Sequence, residues 1–136
     1  MTIEVNDEYS ETLKISQESI LKFAELSGDD NPIHIDKNYA IEQGFKTNIA
    51  HGILSASVFS RILGTKFPGN GSIYTFQELK FRKPIYAEEL ITVNMKVVSK
   101  IESKYTISTR LITSEGIALD GIAEVIYKKP LHNYQE

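Results

Sequence analysis

The chain has 136 residues, 41% hydrophobic and 24% charged, which fits a soluble globular protein long enough to bury its own core. A formal net charge of −3 gives no electrostatic footing for nucleic acid, and the absence of cysteine excludes disulfides, thiol nucleophiles and thiolate metal ligands. The start, Met1 to Glu8, lacks the apolar run of a signal peptide, and the apolar-leaning stretch Ile49 to Phe67 is broken by His51, Arg61 and Lys66, so no membrane span is expected. One domain over residues 1–136, in the cytoplasm, is the expectation.

Residues Tyr9 to Ile15 alternate weakly and predict a first strand. Ser16 is a helix N-cap candidate. Ile20, Phe23 and Ala24 fall at helical spacing behind it, and Gly28 is a natural stop. Asp36 can cap a short helix, Lys37 to Gln43, stopped by Gly44. Ile49 to Gly64 is the most apolar helix candidate. Ile53, Leu54, Val58, Phe59, Ile62 and Leu63 spread round most of its circumference, which predicts a helix buried on nearly every side. From Ser72 the period becomes two. Ser72 to Phe81, Leu90 to Ile101, Tyr105 to Ile112 and Ile117 to Tyr127 read as strands. Short connections between them imply an antiparallel sheet. A curved sheet wrapped round one buried helix is the α+β architecture expected. The tail, 128–136, is expected to fray.

Ser27-Gly28-Asp29-Asp30-Asn31-Pro32-Ile33-His34 is the densest polar stretch. On one helix or strand Asp29 and His34 would point to different faces. A turn brings them together, and Gly28 and Asn31-Pro32 are turn formers. The stretch is either a loop aiming an acid/base pair at one point or a polar surface turn after a helix-ending glycine. A metal site here lacks enough ligands at suitable spacing, and none is expected. Glycine near the start of the apolar helix leaves helix N–H groups uncovered, where partial negative charge can bind.

Phe23 to Asp36, with its Gly28-Asp29-Asp30-Asn31-Pro32-Ile33-His34 core, resembles the hydratase motif of the MaoC-like, (R)-specific enoyl-CoA hydratases. Ile49-Ala50-His51-Gly52-Ile53-Leu54 through Phe59-Ser60 resembles the central-helix signature of that family. Pro68 to Tyr74, running on to Phe81-Arg82-Lys83-Pro84-Ile85, is similar to the segment that follows it. The likeness covers roughly Ser16 to Tyr127, and its nearest form is the short one that supplies (R)-3-hydroxyacyl-CoA for polyester synthesis. It implies a hotdog fold and a homodimer. It also implies that Asp29 and His34 are the catalytic pair, that Asn31 shapes the site or hydrogen-bonds the pair or its water, and that the Gly52 N–H is the oxyanion donor. His51 and Ser60 fall on substrate-facing positions. His51 has backbone bonding as its plainer use, and Ser60 has space-filling. Asp30 stands at a variable position, adding a second charge or facing solvent.

The activity implied is reversible addition of water to trans-2-enoyl-CoA, giving (R)-3-hydroxyacyl-CoA, with no cofactor beyond the coenzyme A of the substrate. An alternative is a (3R)-hydroxyacyl-[acyl-carrier-protein] dehydratase. An alternative of another class is a non-catalytic acyl-thioester binding module. Arg82 and Lys83 are either partners for coenzyme A phosphates or solvated charges, and His132 is given no role. In such a dimer the loop and the helix start are expected to come from different subunits, which would leave a single chain inactive.

Overall fold

The computed structural model describes residues 2–128. In chain order these form β1 (Glu8–Lys14), α1 (Gln17–Ser27), α2 (Pro32–Ile35), α3 (Lys37–Glu42), α4 (Gly52–Thr65), β2 (Ile73–Gln77), β3 (Lys80–Phe81), β4 (Leu90–Ile101), β5 (Lys104–Thr113) and β6 (Gly116–Ile126). The strands make one antiparallel sheet in the order β1-β4-β5-β6-β2, with β3 also on β6. The last three long strands are joined by tight turns, as the period-two pattern requires. Ile91, Val93, Met95 and Val97 of β4, Ile107 and Leu111 of β5, and Leu119 and Val125 of β6 are buried in one cluster with Val58, Phe59, Ile62 and Leu63 of α4. That is the α+β arrangement expected. The frayed tail and His132 fall on 129–136, outside the described residues, apart from exposed Lys128.

The local signals act as their chemistry dictates. The Ser16 side chain accepts from the Ser19 N–H, and Gly28 closes α1 at φ 81°, a backbone conformation that costs glycine little. Asp36 accepts from the Tyr39 N–H and starts α3.

Three expectations need correction. The polar loop includes one helical turn, α2, because Asn31 caps it and Pro32 supplies a preset φ at its first position. The strand expected over Ser72 to Phe81 is two pieces, since the register slips between Tyr74 and Phe76 and the chain leaves the ladder before β3. There the Glu78 N–H bonds the Ile122 carbonyl, and Gly121 makes room: a Cβ at Gly121 would lie 1.7 Å from the Glu78 oxygen. Finally, α4 is not covered all round. It buries Ser55, Val58, Phe59, Ile62 and Leu63 but leaves Ser57, Ser60 and Arg61 exposed and Ile53 at 60% exposure, because one sheet can cover only one side of a helix.

Candidate active site

The α1–α2 loop, α2 and the start of α4 are laced together by hydrogen bonds that cross the chain. The Ile49 N–H donates to the Ile33 carbonyl at 3.0 Å. Asn48, 5% exposed, donates through Nδ2 to the His34 carbonyl and to Gln17 Oε1, both at 2.7 Å. His34 Nδ1 lies 2.8 Å from the Ile49 carbonyl. A carbonyl only accepts, so Nδ1 carries a proton here, and in the neutral ring the lone pair is then on Nε2. His51 Nε2 lies 2.9 Å from the Asp29 carbonyl and is protonated by the same reasoning.

The result is a cluster. A carboxylate oxygen of Asp29 and one ring nitrogen each of His34 and His51 lie within 4.8 Å of one another. The two imidazoles stack, with centroids 3.9 Å apart and planes 27° apart, and Phe23 meets His51 edge-on at 4.8 Å. A cation would have to lie in both ring planes at about 2.0–2.1 Å from each nitrogen. The stack is an unfavourable arrangement for two imidazoles to share one cation, and two of the four ring nitrogens, His34 Nδ1 and His51 Nε2, already face carbonyl oxygens, although the structure brings together three ligand-type side chains where the sequence suggested two.

Asp29, His34, His51 and Gly52 all line one cavity of about 760 Å³, with apolar walls that include Phe23, Phe45, Ile53, Ile85 and Leu119. The loop and the helix start therefore meet within a single chain. Gly52 is the first residue of α4, so its N–H has no acceptor inside the helix. Its lack of a side chain is needed at once by Phe81, whose Cε1 lies 2.5 Å from where a Cβ would be. Arg82 and Lys83 stand at the cavity wall. Arg82 bonds Asp120 at 2.8 Å, and Lys83 donates to the Glu115 carbonyl.

The other residues singled out fall elsewhere. Asn31 is exposed and is not a wall of the cavity. Its side chain accepts from the Ile33 N–H at 3.2 Å, while its own N–H reaches the Asp29 carboxylate at 3.4 Å. Asp30 is exposed. His51 offers substrate no free donor, since Nε2 is committed to Asp29 and Nδ1 is buried. Ser60 is not brought to the group. Eight residues along α4 from Gly52, about 12 Å at helical rise, it is exposed beside a separate hollow of about 90 Å³ bordered by Leu63 and Tyr74. Asn48 and Phe81 were not foreseen as site residues. Asn48 stands in a short polar connector with no periodicity, and Phe81 reads as an ordinary strand residue.

Residues 2–116 match the family described as MaoC like domain. The chain belongs to the MaoC-like family. It is 40% identical over 114 residues to the (R)-specific enoyl-CoA hydratase of Rhodospirillum rubrum, covering 82% of this chain and 79% of that one. It is 34% identical to a mitochondrial 3-hydroxyacyl-[acyl-carrier-protein] dehydratase of Arabidopsis thaliana, covering 91% and 77%. The solved (R)-hydratase from A. caviae involved in PHA biosynthesis superposes with a TM-score of 0.89 at 35% identity, covering 93% of this chain and 98% of that one. The MaoC-like chain thus has the hotdog fold. No helix among the described residues is long and apolar enough to cross a membrane.

Proposed function

We propose that this MaoC-like protein is an (R)-specific enoyl-CoA hydratase, a hydro-lyase that adds water reversibly to trans-2-enoyl-CoA to give (R)-3-hydroxyacyl-CoA. The observation that carries the reading is the Asp29–His34 pair set against the open N–H of Gly52 in one apolar cavity. Hydration needs a base for water, a proton at C2 and stabilisation of charge on the thioester oxygen. A ring nitrogen of His34 and the Asp29 carboxylate lie within 4.8 Å, close enough to hold one water between them, and His34 Nε2 is the nitrogen not engaged by the Ile49 carbonyl. One of the pair takes a proton as the water oxygen bonds C3, and a proton is delivered to C2. The Gly52 N–H, aided by the positive end of α4, meets the growing charge on the thioester oxygen. The thioester already activates the alkene, so the reaction as written calls on no cofactor.

The test is direct. Crotonyl-CoA should lose its conjugated enoyl absorbance on mixing with the protein, with the (R) product formed. No loss, or an (S) product, overturns the reading. The likeness to the Arabidopsis thaliana protein favours a second reading, action on carrier-protein thioesters. Rates on crotonyl-CoA and on the crotonyl carrier protein, measured side by side, decide between the two. Tight acyl-CoA binding without turnover would identify a binding module instead.

The same reading includes a homodimer. Edge strand β2 exposes Ile73 at 62%, Tyr74 at 40% and Phe76 at 49%, next to the uncovered side of α4. Large apolar side chains on an open sheet edge are what a partner strand covers. Light scattering should give twice the 15.3 kDa of one chain, and Phe76→Lys should shift the mass toward one chain. A wild-type protein of single-chain mass would refute the dimer.

A further inference from the structure

His51 holds the first position before α4 yet makes no side-chain bond to the helix. That position usually goes to Ser, Thr, Asp or Asn, whose oxygen accepts a helix N–H. The imidazole turns instead to the α1–α2 loop, where its Nε2–H binds the carbonyl of Asp29 across 22 residues of sequence. The residue is 2% exposed, with one ring face on His34 and an edge contact to Phe23. Its other nitrogen, Nδ1, is buried with no hydrogen-bond partner among the described residues. A buried unpaired acceptor costs stability, so a filler chosen only for packing would be an apolar ring. What the imidazole adds over such a ring is the donor to Asp29.

Asp29 has reason to need it. It is exposed on a connecting loop, and among the described residues its carboxylate meets only the Asn31 N–H, at a long 3.4 Å. The tether to His51, with the Ser27 hydroxyl accepting the Asp29 N–H at 3.1 Å, sets where that carboxylate can stand. We propose, resting on the hydratase reading, that His51 is a positioning residue. It fixes the Asp29 carboxylate relative to His34 Nε2 by holding the Asp29 carbonyl and flanking the His34 ring, and it does not itself meet substrate. Misplacement of a reacting group by about 1 Å can cost about a hundredfold in rate.

The experiment is a kinetic series on crotonyl-CoA. His51→Phe keeps the stack and roughly the volume but has no donor, and His51→Met, which keeps roughly the volume without donor or ring, serves should the Phe variant fail to fold. His51→Gln can return an N–H to the Asp29 carbonyl. The donorless variant should lose about 10- to 100-fold in kcat with KM changed by less than about threefold. His51→Gln should recover about tenfold of that loss. In an Asp29→Asn background the donorless change should cost less than about threefold, because a residue acting through Asp29 has nothing left to position. A kcat within about threefold of wild type for the donorless variant overturns the proposal. So does an equal loss in the Asp29→Asn background, or a Gln variant no better than Phe. An inactive wild type refutes the hydratase reading and this proposal with it, whereas an active wild type indifferent to His51→Phe refutes this proposal alone.

Discussion

Replacing Asn48 with leucine should show how strongly one buried amide holds the candidate site together. Asn48 is 5% exposed, and its Nδ2 is the donor for both the His34 carbonyl and Gln17 Oε1 at 2.7 Å. Each hydrogen bond contributes about 0.5–1.5 kcal/mol net, and an acceptor left buried without a donor costs about 1–3 kcal/mol. Gln17 is half-buried and can turn to water, so its share is the smaller one. The His34 carbonyl sits inside the 33–34/48–49 lacing and has no such escape. Asn48→Leu keeps the volume roughly and should cost about 2–4 kcal/mol. For a chain of this length that lowers Tm by roughly 6–15 °C. The assay is urea unfolding and a thermal melt of the variant beside wild type. Activity should fall beyond what the folded fraction explains, because the same carbonyl seats His34. A loss under about 0.5 kcal/mol would refute the reasoning, since it would mean the lacing does not depend on this amide.

Gly121→Ala should destabilise strongly, by about 3 kcal/mol or more, because its Cβ would fall 1.7 Å from the backbone oxygen of Glu78 and backbone cannot swing aside as a side chain can. Denaturant unfolding reads it, and a change under about 1 kcal/mol would contradict the close approach. Gly52→Ala should be milder, within about 1.5 kcal/mol, since the group it meets is the half-exposed ring of Phe81, which can rotate away. Arg61, first, and the Tyr9 hydroxyl hold the Glu11 carboxyl below its ordinary 4.5. A lowered folded value means the contribution is full above the unfolded carboxylate's pKa and is lost as pH falls through the folded one. The Glu11→Gln variant should therefore trail wild type by a few tenths of a kcal/mol to about 1 kcal/mol at pH 7, with the gap closing in acid. A gap that persists unchanged at pH 3 would contradict it.

What could be read from the residues alone was local and periodic. The alternation of β4 gave its bounds and its buried row. Ser16, Gly28 and Asp36 marked helix ends because capping chemistry is set by residues a few positions apart. The polar stretch carried Asp29 and His34 legibly, since only a turn could join them. The lacing was not legible, because it is made by bonds between residues 14 to 31 positions apart, such as His34 to Asn48 and Gln17 to Asn48. No periodicity announces a connector amide. The uncovered side of α4 misled for a related reason. Apolar residues all round a helix say that it is covered, but not whether its own sheet does the covering. Ser60 followed the family likeness to a substrate position, and in this chain it stands at a different hollow from Asp29 and His34.

The central claim is that Asp29 and His34 move the protons of water addition to an enoyl thioester. The measurement that tests it most directly is kcat on crotonyl-CoA for Asp29→Asn and His34→Ala, each with its melting curve. The account predicts that each variant loses about 10²- to 10⁴-fold in kcat while still melting cooperatively as a folded protein. Full activity in both folded variants would contradict it.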